Sequence, residues 1–211
     1  MNEYISVINE MTFLKPANVL EIGARDGDNA VTLAQAFGIP MTNVHAIECN
    51  PKALGLMREK WPEINIHTHA IFNKNGKKVF YSIDPAVHGL VTAGQSSLID
   101  RVDKKYDQYA TQVTVDCITG RRFLETLGID GFDLCKIDVE GASFEVLESF
   151  EDTLKQIKSI HVECEHREVW EGQKTYEYCA HLLLNNGFKQ VYFLCHESLQ
   201  SDSIWVQRAY L

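Results

Sequence analysis

The chain has 211 residues, 45% of them hydrophobic, with a formal net charge of -9 and a sequence pI near 5.3. Such a length and composition suit one domain with a sizeable core rather than two small ones. Basic residues come together only in short pairs such as Lys77-Lys78, Lys104-Lys105 and Arg121-Arg122, so binding to nucleic acid through clustered cations is disfavoured.

The six cysteines, Cys49, Cys117, Cys135, Cys164, Cys179 and Cys195, form no CxxC pair and sit mostly inside apolar runs. They read as buried, reduced thiols. Residues 1–13 carry acids and no long apolar segment, and no apolar run approaches the ~20 residues that span a bilayer. A soluble, reducing, cytoplasmic setting is expected, with no membrane or nucleic-acid partner; a homodimer is compatible with the composition.

In chain order, residues 4–13 place Ile5, Ile8 and Met11 three apart, a short amphipathic helix closed off by Pro16 and expected at one edge of the sheet. An apolar run, Val19-Leu20-Glu21-Ile22, then breaks into the turn Gly23-Ala24-Arg25-Asp26-Gly27. In residues 29–37, Ala30, Leu33, Ala34 and Phe37 make one helical stripe, so the unit is strand, glycine turn, helix. Two glycines permit positive φ and close approach of a ligand to the backbone, beside the unpaired N–H groups of a helix start. Residues 43–48 read as a second strand. Asn50-Pro51, an N-cap residue followed by a favoured first helical residue, opens a helix over 51–59. Residues 64–70 read as a third strand.

After the turn Asn73-Lys74-Asn75-Gly76 the texture changes. A strand at 78–83 precedes an irregular stretch, 84–105, that holds Pro85, Gly89, Gly94, Ser96 and Ser97, and a strand follows at 112–117. Residues 72–117 therefore read as inserted strands and loop lying over a site, within a single domain, 1–211, that begins with the helix in 1–15. A helix at 119–128 leads to a mostly apolar strand at 132–138, ending in Asp138-Val139-Glu140-Gly141, as expected of a central parallel strand. A helix at 143–157, a strand at 159–164 and a helix at 175–186 that stops at Gly187 come next. Strands at 190–195 and 203–209 are close enough in sequence to pair antiparallel. The alternation predicts an α/β fold, a doubly wound and mostly parallel sheet with ligands at the carboxyl ends of its strands.

Polar residues collect at those ends: Glu21, Arg25 and Asp26, then Glu48, then Asp138 and Glu140, then Glu163 and His166. Glu48 ends the second strand about 20 residues past the glycine turn, where an acid accepts hydrogen bonds from ribose hydroxyls; the bland alternative is a solvated strand end. A dinucleotide turn would read G-x-G-x-x-G, whereas here Gly23 and Gly27 are separated by three residues, and Glu21 and Asp26 add negative charge where a pyrophosphate would lie. A cationic cofactor suits such a turn better, and S-adenosylmethionine carries a sulfonium and an ammonium.

Glu21-Ile22-Gly23-Ala24-Arg25-Asp26-Gly27, Glu48-Cys49-Asn50-Pro51 and above all Lys136-Ile137-Asp138-Val139-Glu140-Gly141 resemble the motifs of FkbM-type S-adenosylmethionine-dependent methyltransferases. The resemblance extends to Ser96-Ser97-Leu98, Val162-Glu163 and the closing Asp202-Ser203-Ile204-Trp205-Val206. It implies a seven-stranded Rossmann-like methyltransferase fold with the last strand antiparallel, and methyl transfer to a hydroxyl oxygen of a sugar or other small molecule such as a secondary metabolite. Two positions depart from the family pattern: Glu21 stands where Asp is common, and Ser143 where a Glu is common.

The residues expected at the cofactor are Glu21, Gly23, Ala24, Arg25, Asp26, Gly27, Glu48, Cys49, Ala70 and Asp138. Asp138 leads the expected catalytic residues, with Glu140, Glu163 and His166 as alternatives; a base helps when the acceptor is an alcohol, whose proton leaves late. Against these stand plainer roles: Asp138 orienting the cofactor amine, Glu140 capping the next helix, Glu163 a solvated strand end and His166 a surface residue. Asp138, Glu163 and His166 lack any ligand-spacing signature for a divalent ion, and strand alternation puts His161 on the opposite face from Cys164 and His166, against a zinc site; no metal is expected. Two other readings stay open, a nicotinamide-dependent oxidoreductase of similar winding and a nucleoside-binding module without activity. Valine at Gly27 is expected to block the cofactor and leave the fold largely intact.

Overall fold

The computed structural model describes residues 1–84, 86–89, 94–196 and 199–211. Its main sheet has seven strands: β1 (Val19–Ile22), β2 (Val44–Ile47), β3 (Asn65–His67), β7 (Leu134–Ile137), β8 (Ser159–Glu165), β9 (Phe188–His196) and β10 (Gln200–Gln207). They lie in the order β3-β2-β1-β7-β8-β10-β9. The first five run parallel, and β10 is antiparallel to both β8 and β9. The winding is that expected, with the last strand reversed.

Alternation along the strands divides the core between two faces. Val19, Val44, Ala46 and Leu134 point to the side covered by α1 (Asn2–Glu10), α2 (Asp28–Phe37) and α3 (Pro51–Lys60). Leu20, Ile22, Cys135 and Ile137 point to the side covered by α4 (Gly120–Leu127), α5 (Ser143–Glu148) and α6 (Tyr176–Asn185). Register then sets the rim: Ile22 lies level with both Ile47 and Ile137, and Ile137 with Val162. The residues just past those positions, Gly23, Glu48, Asp138 and Glu163, therefore stand along one edge.

Three elements differ from expectation. Helix α1 lies on a face of the sheet instead of its edge, because Tyr4 is fully buried and its hydroxyl donates to the carbonyls of Ser159 (3.0 Å) and Cys135 (3.4 Å) on central strands. The strand expected over 64–70 is divided. The chain leaves the main sheet after His67, and β4 (Ala70–Ile71) joins β5 (Gly76–Ile83) and β6 (Ala110–Ile118) in a second sheet of order β4-β6-β5. The helix expected over 143–157 stops at Glu148, where the Ser149 hydroxyl donates to Val146 O (2.6 Å) and accepts from Gly120 N (2.9 Å); a 3-10 turn, Glu151–Gln156, follows a positive φ at Glu151. Of the irregular stretch 84–105, positions 85 and 90–93 lie outside the described residues, as do 197–198 between β9 and β10. Among the described residues no helix is long and apolar enough to cross a membrane. All six cysteines are free; Cys195 is exposed and Cys49 half-buried, unlike the other four.

Tyr4→Phe keeps the ring and removes one buried donor shared between two carbonyls, so the denaturation midpoint should fall by the equivalent of about 1 kcal/mol with an unchanged slope. An unmoved midpoint would show that the hydroxyl contributes nothing to docking α1.

Candidate active site

The glycine turn is closed from within. Gly23 N and Ala24 N both donate to Ile47 O (3.0 and 2.9 Å), joining the turn to β2. Arg25 holds a φ of +51°, and its N–H donates to Glu48 Oε2 at 2.8 Å, while Asn50 N donates to Glu48 Oε1 at 2.6 Å. Glu48 is thus a buried tie, 8% exposed, and not a solvated strand end. Burial raises its carboxyl above the usual range against the pull of those N–H groups. Each carboxylate oxygen accepts more than one hydrogen bond, so capacity for a ligand remains.

The two glycines serve packing within the protein. A Cβ on Gly23, at φ +81°, would overlap the carbonyl oxygen of Asp138. A Cβ on Gly27, at φ +79°, would lie 3.2 Å from Met57 Cγ and 3.3 Å from Trp61 Cδ1 on the side of α3. The two acids of this stretch are also turned inward. Glu21 is fully buried and accepts from Ala30 N (2.8 Å) and Asn29 Nδ2 (3.0 Å), which pins the start of α2; burial, opposed by Lys136 nearby, pushes its carboxyl up to about 7. Asp26 sits 3.7 Å from both Arg25 Nε and Lys60 Nζ.

A cavity of about 610 Å³ opens on this rim. Gly23, Ala24, Arg25, Glu48, Cys49, Ala70 and Asp138 line it; Glu21, Asp26 and Gly27, also expected there, do not. The inserted region supplies Phe80, Ser96, Leu98 and Arg101 to the opposite wall. Beneath that wall Asn50 acts as a joint: Ser82 Oγ donates to its Oδ1 (2.8 Å), and its Nδ2 donates to Ile83 O (3.1 Å) and Ser96 Oγ (3.3 Å). Asn50 shows in the sequence as an N-cap and as part of the Glu48-Cys49-Asn50-Pro51 motif, and Phe80 only as one residue of an alternating strand; neither carries a spacing that announces a cavity.

Of the expected catalytic residues, Asp138, Glu140 and Glu163 come together. Each places a carboxylate oxygen within 4.8 Å of the others, on the cavity wall. Lys136 Nζ lies 2.6 Å from Asp138 Oδ2 and 3.8 Å from Glu21 Oε1. Burial opposes the lysine's charge, but Asp138 and Glu21 outweigh it and hold the ammonium above its ordinary value. Burial, with Asp138, Asp202 and Glu165 close by, pushes Glu163 up to about 8. Burial also raises Glu140 well above the carboxylate range, reinforced by Asp138 and Glu163. Glu140 does not cap α5, whose N-cap is Ala142 with no side-chain bond.

His166 is not part of this wall: its ring packs against Tyr176 and Phe193, drawn there by aromatic contacts with centroids 5.1 and 5.9 Å away. Ser143 is buried, and its hydroxyl donates to Glu163 O at 2.7 Å, tying α5 to β8. Glu165 supports the roof by accepting from Trp170 Nε1 (3.2 Å) and Gln173 Nε2 (2.8 Å).

A doubly wound sheet of this order with one reversed strand, carrying a cavity at its carboxyl rim, is the Rossmann-like methyltransferase fold. The chain belongs to the FkbM methyltransferase family: the model of the Methyltransferase FkbM domain matches residues 21–190. S-adenosylmethionine is the cofactor of the family, which sets the nicotinamide reading aside.

Solved structures agree on the fold. An S-adenosylmethionine-dependent methyltransferase from Listeria monocytogenes superposes with a TM-score of 0.56 at 10% identity, covering 98% of this chain and 97% of that one. The FkbM methyltransferase of Methylobacillus flagellatus KT gives 0.55 at 12% identity, over 98% of this chain but 50% of that one, so the chain spans about half its length. The magnesium protoporphyrin IX methyltransferase of Synechocystis PCC 6803, solved with S-adenosylmethionine bound, gives 0.53 at 13% identity, covering 98% and 77%. No curated protein matches the chain.

The packing at Gly27 changes what valine there should do. A β-branched side chain at positive φ, pressed on Met57 and Trp61, should cost about 1–3 kcal/mol of stability in denaturant unfolding, while the folded fraction keeps its affinity for S-adenosylmethionine in calorimetry. Gly23→Ala, which forces the turn off Asp138, should lose both. Equal loss of affinity in the two variants would contradict this division.

Proposed function

We propose that the chain transfers a methyl group from S-adenosylmethionine to a hydroxyl oxygen of a small-molecule or sugar acceptor, within the cavity bounded by the glycine turn and the acidic wall. The observation that carries this reading is the convergence of Asp138, Glu140 and Glu163 on one wall of the cavity whose floor is Gly23 and Glu48. The donor set fits the cofactor. Glu48 would accept from the ribose hydroxyls, Cys49, Ala70 and Phe80 would flank the base, and Asp138 would face the ammonium. When bound, the cofactor supplies a methyl group already electrophilic on sulfur.

The protein's share is alignment and proton handling. The cavity walls hold the acceptor oxygen in line and keep water out. Anionic above about pH 8, Glu163 is matched to taking up a hydroxyl proton in mildly alkaline solution. Asp138 is the less suitable base, since Lys136 at 2.6 Å holds one of its oxygens. Glu163 therefore takes first place among the candidate bases, ahead of Asp138 and Glu140, and His166 has no part.

Labelled methyl groups offered with sugars, lipid alcohols and secondary-metabolite alcohols should end on an acceptor oxygen, and Glu163→Gln should slow that transfer by about 10²-fold or more. Cofactor binding with no transfer to any acceptor would instead support an inactive binding module. The sign of the pH dependence follows from the raised Glu163: it is neutral below about 8 and anionic above. Affinity for the sulfonium should therefore rise as pH climbs through about 8, and S-adenosylhomocysteine, which lacks that charge, should respond less. In Glu163→Gln the rise should vanish; calorimetry across pH reads both.

A further inference from the structure

The turn that carries the acidic wall is held from the insertion by one side chain that the proposed chemistry does not use. Ser97 is fully buried, and its backbone exchanges hydrogen bonds with Tyr81 of β5, Tyr81 N to Ser97 O at 2.8 Å and Ser97 N to Tyr81 O at 3.3 Å. Its hydroxyl is committed at both ends: it donates to the carbonyl of Glu140 at 2.6 Å and accepts from Ile99 N at 3.0 Å.

Glu140 is the residue of that turn whose conformation needs outside support. Its φ is +46°, in the left-handed region that side chains other than glycine's seldom adopt. The rest of the turn is already fixed: Asp138 N donates to Ile22 O at 3.0 Å, and Gly141, at φ +82°, lies so close to Trp170 that a Cβ would overlap the indole. The peptide between these fixed points is the one that Ser97 grips. Were it to relax to negative φ, the Glu140 side chain would leave Asp138 and Glu163.

We propose that Ser97 is a positioning residue: by binding the Glu140 carbonyl it holds Glu140 in the left-handed conformation and so places the third carboxylate of the wall. Its consequence for methyl transfer rests on the function proposed above, whereas the placement itself does not. The groups that face Glu140 are Asp138 at the end of β7, Glu163 and Glu165 on β8, and Arg101 on the inserted segment. Release from burial and from these carboxylate neighbours would return Glu140 toward the ordinary carboxylate range.

The test is a pH titration of the full chain with carbon-13 at the glutamate carboxyls, Glu140 being assigned by its loss in Glu140→Gln. Ser97→Ala should lower the Glu140 midpoint by about one pH unit or more, tenfold in proton affinity, and Ser97→Thr should restore it. Glu21 and Glu48, tied elsewhere, should titrate unchanged and so report an intact rim. Ser97→Cys keeps the volume with a weaker donor, so its midpoint should fall in between, and it stands in if the alanine variant does not fold. An unmoved Glu140 midpoint in the alanine or cysteine variant, or a threonine variant that behaves like alanine, overturns the proposal. A wild-type chain that fails to bind S-adenosylmethionine would sink the proposed function and leave this placement standing.

Discussion

The rim of this protein depends on one close approach, that of the Gly23 backbone to the carbonyl oxygen of Asp138. Parallel strands β1 and β7 end level, and Asp138 N carries the ladder one residue further by donating to Ile22 O. No side chain fits between the two chains at that point. Because Gly23 N also returns to Ile47 O, the ends of β2, β1 and β7 close into a continuous ledge. The acids on β7 and β8 then stand over the same cavity as the turn, which a looser junction would not guarantee.

On that ledge, depth and partners sort the carboxylates into different tasks. Glu21 and Glu165 are buried with hydrogen-bond donors on both oxygens, and their work is structural, one holding a helix start and the other the roof. Glu48 is equally buried but borders the cavity. Among the described residues Lys136 stands beside Asp138 and acts on Glu163, and Arg101 faces Glu140, set against several negative charges. Burial first, and then that excess negative charge, favours keeping protons, which is why Glu140 and Glu163 are shifted upward.

Much of this was legible in the sequence, and the rest has identifiable causes. Short runs between turn signals marked the strands of the main sheet, and period-3.6 stripes and caps marked the helices between them, since burial imposes its pattern on the chain. The turn, Glu48 and Asp138 were legible because a rim residue follows directly from a strand end. The purpose of the glycines was not, because sequence reveals a tolerance for close approach without naming what approaches; here it is Asp138 and α3. Glu21 and Asp26 looked like electrostatic steering for a ligand, yet side-chain direction turned both inward. His166 follows a strand that points at the cavity, but Tyr176 and Phe193, distant in sequence, claim its ring. Tyr4, four residues before Ile8, shares its buried helical face, but the Ile5-Ile8-Met11 reading left it out, and nothing in the sequence shows the carbonyls that its hydroxyl meets.

The small sheet made by β4, β5 and β6 has a bearing on how such a chain can diversify. It joins the parent sheet's path through the two residues of β4, which pair with β6 alone, so no strand of the main sheet takes its register from the insertion. The hairpin can lengthen, shorten or change its outer face without shifting a strand pairing of the main sheet. One wall of the pocket thereby carries a strand register of its own and meets the other through side chains, at Asn50 and at Ser97.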